Sequence, residues 1–361
     1  MITEKILLHN RGLESRKEGI LSWKVPSSVK KSLNRFLEEL ELGQVNKGVK
    51  VGESRQTKYL DLLKIPLEYF NKETKSITLK DMESFEKGLS SGKIKSVLKN
   101  QPYAHSTQVD IRKSIKIFLR WDLGEVKALK LTDWLDTRYK EKTPDFLSEQ
   151  ELSKLYKACR TPEQRFLIAV LFDSGARAEE FHNIRYEDVH LPEGKDNFAK
   201  ITLKEEYSKT KGRTISLYWK HSLEAIQEYL RERIEQGVKP KDPIFTLNYD
   251  AARRFLHRLG NSILNKSIHY HLFRHSSATY YATKINRQQL CYRYGWKFSS
   301  DMPDVYISRS GMENKEIDDR FTSTEIGALQ EKVAKLEQLL KISLEEGTAT
   351  IKQLSDKLKK S

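Results

Sequence analysis

The chain has 361 residues, 38% of them hydrophobic, and 65 Lys and Arg against 50 Asp and Glu give a net charge of +15. That length suits two or three domains, and that charge excludes an acidic, solvating chain and calls for a polyanionic partner, nucleic acid first among them. Its two cysteines, Cys159 and Cys291, lack metal-ligand spacing, the apolar run Phe166 to Phe172 is too short for a bilayer, and the start Met1-Ile2-Thr3-Glu4-Lys5 lacks a signal-peptide pattern, so the expectation is the reducing cytoplasm with no membrane partner.

In chain order, residues 1–26 are polar, show little periodicity and read as an N-terminal extension. From Ser27 to about Leu42, Val29, Leu33, Phe36, Leu37 and Leu40 share one helical face. Gly43 to Gly52 reads as a loop, and a longer helix follows with Tyr59, Leu60, Leu63, Ile65, Leu67 and Phe70 apolar. Thr78 is a candidate N-cap for another helix, and Tyr103 to Trp121 continues the pattern. Residues 27–125 therefore read as an all-helical domain with a lysine-rich surface. Residues 126–145, with the turn chemistry of Thr143-Pro144-Asp145, read as a linker.

Ser148 and Glu151 form a capping-box pattern that opens a second domain, 146–321. Pro162 to Phe172 is a strongly apolar helix, broken by Gly175. Phe198, Ile201 and Leu203, then Thr214 to Leu217, alternate as short antiparallel strands around the polar stretch Glu205 to Arg213. Helices resume over Ser222–Gln236, Tyr249–Leu264 and around Phe273–Thr283. The fold class is thus mainly α with a small antiparallel β-sheet in the second domain. In a tail, 322–361, Ile326, Leu329, Val333, Leu336 and Leu340 form a short heptad seam, interrupted at Gly347.

The chemistry is concentrated in the second domain. Arg177 follows the Gly175 break with Glu180 one turn on. A planar guanidinium suits bidentate phosphate contact, and the same two residues would also make an ordinary surface ion pair. Lys209 sits between the strands, where a lysine can protonate a departing oxygen. Lys204, Lys211 and Arg213 beside it suit phosphate anchoring, and Lys211 competes with Lys209 for the acid's role. His271 and Arg274 lie one helical turn apart and share a face, the histidine able to take or position a proton and the arginine adding a second positive fork. His269, His271 and His275 invite a metal reading, but Arg274 in their midst repels a cation and carboxylates are absent nearby, so no metal is expected. Trp296 can donate its indole N–H to a phosphate oxygen or simply pack in a core. Tyr306 is one of 16 tyrosines, and only order and spacing single it out. With an ordinary pKa of about 10 it needs a cationic site to act as a nucleophile.

Ser174-Gly175-Ala176-Arg177-Ala178-Glu179-Glu180, Ser208-Lys209-Thr210-Lys211, His271-Leu272-Phe273-Arg274-His275, Trp296 and Tyr306 resemble, in that order, the active-site set of the tyrosine recombinases, the integrase and Xer-like family. The resemblance covers the second domain, which it implies is catalytic. Residues 27–125 are similar in character to the family's core-binding domain, and the two domains would clamp double-stranded DNA at a specific recombination site. The resemblance further implies that Tyr306 attacks the scissile phosphate to form a 3′-phosphotyrosine link. Arg177 and Arg274 would stabilise the transition state, Lys209 protonate the leaving 5′-oxygen, His271 act as acid, base or positioning group, Trp296 hold a non-bridging oxygen and Glu180 orient its neighbours. No metal, ATP or other cofactor is implied. A homotetramer on two DNA sites would exchange strands through a Holliday junction and so integrate or excise a mobile element. The alternatives are resolution of chromosome or plasmid dimers, a relaxing enzyme like the type IB topoisomerases, and a DNA-binding protein without catalysis. Two departures stand out: Trp296 occupies a place where most members have histidine, and the stretch from Trp296 to Tyr306 is one residue longer than usual.

Overall fold

The structure, a computed structural model, describes residues 5–8, 12–140, 145–208 and 210–309, together with 333 and 336. The chain divides into two compact units, one of residues 9–143 and one of residues 1–8 with 144–361.

The first unit is helical: α1 (Leu13–Gly19), α2 (Ser27–Leu42), α3 (Glu53–Phe70), α4 (Leu79–Ser90), α5 (His105–Leu123) and α6 (Glu125–Thr132). The apolar stripe of α2 buries Val29, Leu33, Phe36, Leu37 and Leu40. The Phe36 ring meets Tyr59 of α3 edge-on at 5.8 Å and Phe118 of α5 at 5.3 Å, which ties three helices at one point. Thr78 caps α4, its hydroxyl accepting the Asp81 N–H while the Asp81 carboxylate accepts the Thr78 N–H.

Two stretches behave differently from their sequence reading. Residues 12–23, read as part of an extension, put Leu13, Ile20 and Trp23 into the helical core. The start of the stretch read as a linker is α6, which buries Ala128 and Leu131, and Leu135 follows them inside. Both helices are only two turns long, too short for an apolar period to stand out from noise.

The second unit comprises α7 (Glu149–Lys157), α8 (Pro162–Ser174), α9 (Ala178–His182), β1 (Val189–His190), β2 (Lys200–Leu203), β3 (Arg213–Ser216), α10 (Ser222–Glu235), α11 (Tyr249–Leu264), α12 (Tyr270–Ala282), α13 (Arg287–Tyr294) and α14 (Met302–Arg309). The Ser148–Glu151 capping box opens α7. The strands form an antiparallel sheet in the order β1-β2-β3, with Ile201 opposite Val189 on one side and Ile215 on the other. β1 has two residues, which leaves no alternation for a sequence reading to find.

The centre of this unit is α8, buried continuously from Phe166 to Ser174 and packed between α10 and α12. It carries a charge into the core, because Asp173 is 0% exposed. Four partners satisfy it: the Trp219 N–H at 2.6 Å, the Ser222 hydroxyl at 2.6 Å, the Tyr281 hydroxyl, and Arg293 at 3.0 Å. Arg293 also donates to the Ser216 carbonyl at 2.9 Å and lies 3.7 Å from the Tyr281 ring. One buried ion pair thereby fixes α8, α12, α13 and β3 in mutual register. Pairs of this kind add little net stability but are costly to break, which suits them to specifying one arrangement.

Among the described residues no helix is long and apolar enough to cross a membrane. The heptad seam lies outside the described residues apart from Val333 and Leu336, both helical and exposed.

Candidate active site

The first side of the site is the turn between α8 and α9. Gly175 ends α8 at φ +57°, and a Cβ there would fall 2.4 Å from the Tyr294 ring, so the position needs glycine on both counts. Arg177 then stands at the head of α9. Its backbone N–H donates to Glu180 Oε2 at 2.8 Å and its guanidinium to Oε1 at 2.9 Å. The ion pair weighed against a phosphate contact is therefore present, yet 30% of the Arg177 side chain stays accessible.

Glu180 is a hub. Besides Arg177 it accepts from Arg213 Nη2 at 3.1 Å and from the Ser208 hydroxyl at 2.5 Å. Burial alone would raise its pKa, but Arg213, reinforced by hydrogen bonds from Arg213, Ser208 and Arg177, outweighs burial and holds the carboxyl at about 2.

The same geometry corrects one expectation. Arg213, read as a DNA contact, has a side chain only 2% exposed. Its forks end on Glu180 and its Nε donates to the Arg293 carbonyl at 2.9 Å, so it braces the site from inside. Lys204 pairs with Glu187 at 2.6 Å and Asp188 at 3.1 Å, and 30% of its side chain stays accessible. Lys211 is exposed. Lys209 lies outside the described residues, but both its neighbours are anchored: Ser208 on Glu180, and Thr210 on Ser208 and Arg213. Gly295, at φ +61°, lets this segment approach, since a Cβ there would fall 2.6 Å from the Thr210 hydroxyl.

The second side is α12. His269 caps it, Nδ1 accepting the Leu272 N–H at 3.1 Å. Arg274 is buried, donating from Nη1 to the Gly175 carbonyl at 2.7 Å and from Nη2 to the Tyr294 carbonyl at 2.6 Å. Burial, then repulsion from Arg177, lowers its pKa to about 10, which leaves it charged at neutral pH. His271 keeps an exposed surface on the same face, and its pKa is pushed below the ordinary 6.5 by desolvation from surrounding protein, then by Arg274, His269 and Arg177.

Tyr306, on α14, is 1% exposed. Its hydroxyl lies 2.6 Å from His275 Nδ1. Its ring stacks on Trp296, with centroids 5.4 Å apart and planes within 7°. Trp296 in turn packs on Tyr294 at 4.9 Å and under the Arg274 guanidinium at 5.6 Å. Arg177 thus pairs with Glu180, while contacts run from Arg274 through Trp296 to Tyr306, and His271 meets the latter set through His275, ring to ring at 4.4 Å.

Sequence reasoning missed three features here. His275 was weighed only as a metal ligand, although its position one turn beyond His271 put it on the same face. The three histidines instead cap a helix, flank an arginine and hold a tyrosine hydroxyl. Arg253, Arg254, His257 and Arg258 form an exposed basic face on α11, and their i, i+1, i+4, i+5 spacing was legible in the sequence. Finally, the chain's start docks on this unit. The amide of fully buried Asn183 accepts the Ile6 N–H at 2.7 Å and donates to the Ile6 carbonyl at 2.9 Å, and Lys5 pairs with Glu179 at 2.9 Å.

Comparison with known proteins gives consistent matches. Residues 145–310 match the model of the phage integrase family. Over 220 residues the chain is 22% identical to the tyrosine recombinase XerA of Saccharolobus solfataricus, covering 59% of this chain and 68% of that protein. Among solved structures, the XerH site-specific recombinase bound to palindromic difH substrate, a post-cleavage complex, is similar with a TM-score of 0.55 at 17% identity, over 89% of this chain and 100% of that one. A lambda integrase dimer bound to a COC′ core site is similar with a TM-score of 0.56 at 14% identity, over 82% and 81% of the two chains. At these identities the structural likeness establishes the fold.

Proposed function

Since residues 145–310 make this chain a member of the tyrosine recombinases of the phage integrase family, we propose that it breaks and rejoins duplex DNA at a specific site with Tyr306 as the nucleophile. The observation that carries this reading is the Tyr306 hydroxyl held 2.6 Å from His275 Nδ1, beside the Arg274 and Trp296 cluster.

In the proposed reaction the phenolic oxygen forms a bond to the scissile phosphorus and the bond to the 5′-oxygen breaks. The phenolic proton passes to His275, with His271 as the neighbouring proton carrier, and Lys209 gives a proton to the leaving oxygen. Arg177 and Arg274 bind the non-bridging oxygens. Arg274 uses two of its five N–H donors on carbonyls, which leaves three for phosphate. Trp296 holds the tyrosine ring by stacking and offers its indole N–H to a phosphate oxygen. The phosphotyrosine bond conserves the phosphodiester energy, so resealing by a second 5′-hydroxyl needs no ATP, and the cationic side chains supply the charge stabilisation that a metal would otherwise give. Because Tyr306 is buried, attack requires α14 to shift when DNA enters.

Double-stranded DNA is the proposed partner. The basic face of α11 and the +15 net charge support it. A lambda integrase tetramer has been solved on a Holliday junction, and we propose the same order of assembly here, serving integration or excision of a mobile element.

The test is covalent trapping in EDTA on nicked suicide duplexes of randomised sequence. A protein–DNA adduct that survives denaturant and disappears in Tyr306→Phe is the expected result, and sequencing its DNA identifies the site. Intact DNA binding with no adduct from the wild type on any sequence would reduce the chain to a binding protein.

A further inference from the structure

The helical unit carries an apolar feature that packing does not explain. Between α4 and α5, Val97 is 96% exposed and Leu98 97%, the most exposed of the large hydrophobic side chains among the described residues. They are adjacent, so they form a two-residue apolar tip.

The tip stands on a braced hairpin. Gly92 leaves α4 at φ +73°, and the Ile94 N–H donates back to the Gly88 carbonyl at 3.0 Å. Ile94 packs against the helical core. Lys95 and Pro102 pair as an antiparallel bridge. Above it the Ser96 N–H donates to the Gln101 carbonyl at 2.9 Å and the Asn100 N–H to the Ser96 carbonyl at 2.8 Å, with Asn100 at φ +48° closing the turn. The turn therefore presents Val97 and Leu98 outward on a defined backbone.

The surroundings of the tip are cationic. Lys93, Lys95 and Lys99 are all exposed, and from Gly92 to Pro102 the sequence contains no acidic residue. Among the described residues none of the three lysines has a carboxylate partner within ion-pair distance. A second copy of this chain is a poor occupant: it carries the same net charge of +15, and two side chains fall far short of the roughly 800 Å² per partner that a stable protein interface buries. Two apolar side chains flanked by cations match instead a base step between two phosphate backbones, the arrangement by which apolar wedges enter the minor groove.

We propose that the hairpin 92–102 is a DNA wedge, with Lys93, Lys95 and Lys99 on backbone phosphates and Val97 and Leu98 inserted into the minor groove, where they part a base step and bend the duplex. The proposal rests on the reading of the chain as a DNA-acting enzyme. It adds a deforming contact from the helical unit, outside the catalytic unit.

The experiment uses the full chain and a 40-bp duplex (a probe length of about four helical turns) with fluorophores at both ends, reporting bend by energy transfer and affinity by titration across salt concentrations. Wild type is expected to bend the duplex. The Val97→Ser/Leu98→Ser double variant is expected to bind about tenfold more weakly, with its salt slope unchanged and its bend lost. Lys93→Ala/Lys95→Ala/Lys99→Ala is expected to flatten the slope of log K against log salt by about 2–3. Because these side chains are solvent-exposed, the variants should melt as wild type does. An equal bend in wild type and the serine variant overturns the wedge, as does a wild-type dimer in DNA-free sedimentation that the serine variant abolishes. The trapping assay on the same proteins separates the two readings: adduct formation without a lost bend sinks the wedge alone, whereas no adduct and no duplex binding sinks both.

Discussion

In the proposed reaction the proton of the Tyr306 hydroxyl passes to His275, whose Nδ1 lies 2.6 Å away. His275→Ala is expected to slow adduct formation by about 100-fold, the scale of a misplaced reacting group, with DNA affinity unchanged. His275→Asn, which keeps a polar atom near the hydroxyl, should recover part of the rate; equal rates for wild type and His275→Ala would remove the residue from the reaction. His271 gives a pH prediction. Desolvation and three cationic neighbours disfavour its charged form, so its folded pKa lies below 6.5 and the ring is neutral at neutral pH. If His271 works as a base, the cleavage rate is flat around neutrality and falls only as pH drops through that lowered value. An acid limb at or above pH 6.5, or one that persists in His271→Gln, would count against it. The sequence supplied the order of Arg177, His271, Arg274, Trp296 and Tyr306 but not the partner of Tyr306, because His275 and Tyr306 are 31 residues apart and meet only through the docking of α14 on α12.

Among the elements, α9 carries the most chemistry in the least length. Its five residues, with Arg177 before them and Asn183 after, hold Glu180 under the site and receive Lys5 on Glu179 and Ile6 on Asn183. An extended segment bonded through both its N–H and its C=O acts as a brace on this short helix. Deleting residues 1–8 is expected to slow adduct formation about tenfold or more, since small displacements of catalytic groups are costly. A synthetic peptide of residues 1–8 added in trans should restore the rate to the deletion variant but not to a deletion variant that also carries Asn183→Ala. No loss on deletion would make the contact incidental. The helices legible in advance included α2, α3, α5, α8, α10, α11 and α12, each of 13 residues or more, and the caps at Thr78 and Ser148 marked the starts of α4 and α7. Over that length a stripe at i, i+3, i+4 repeats often enough to be recognised. α1, α6, α9, α13 and α14 have five to eight residues and take their stability from tertiary packing, so their own sequence hardly marks them.

For the whole molecule, we propose that the heptad pattern in the tail, 322–361, serves a contact between protomers. Deleting 323–361 is expected to leave cleavage of a single site nearly intact and to weaken the pairing of two sites, read by bridging of two labelled duplexes. Equal loss of both would assign the tail to its own catalytic unit.

The sequence by itself determined the mainly helical class, the caps at Thr78 and Ser148, the small sheet and the ordered set of basic and aromatic residues. Each of these depends on neighbours within a turn or two of chain, or on order alone. Only the tertiary structure decided which cations remain open. Arg177 and Arg213 look equally available in sequence, yet Glu180 leaves one partly accessible and encloses the other. It also decided that three neighbouring histidines do three different things, and that Val97 and Leu98 point outward while Leu13 and Ile20 point inward. The reason is physical: burying an arginine is tolerable only where carboxylates or carbonyls converge on it, and such convergence is made by helices and strands packed from distant parts of the chain.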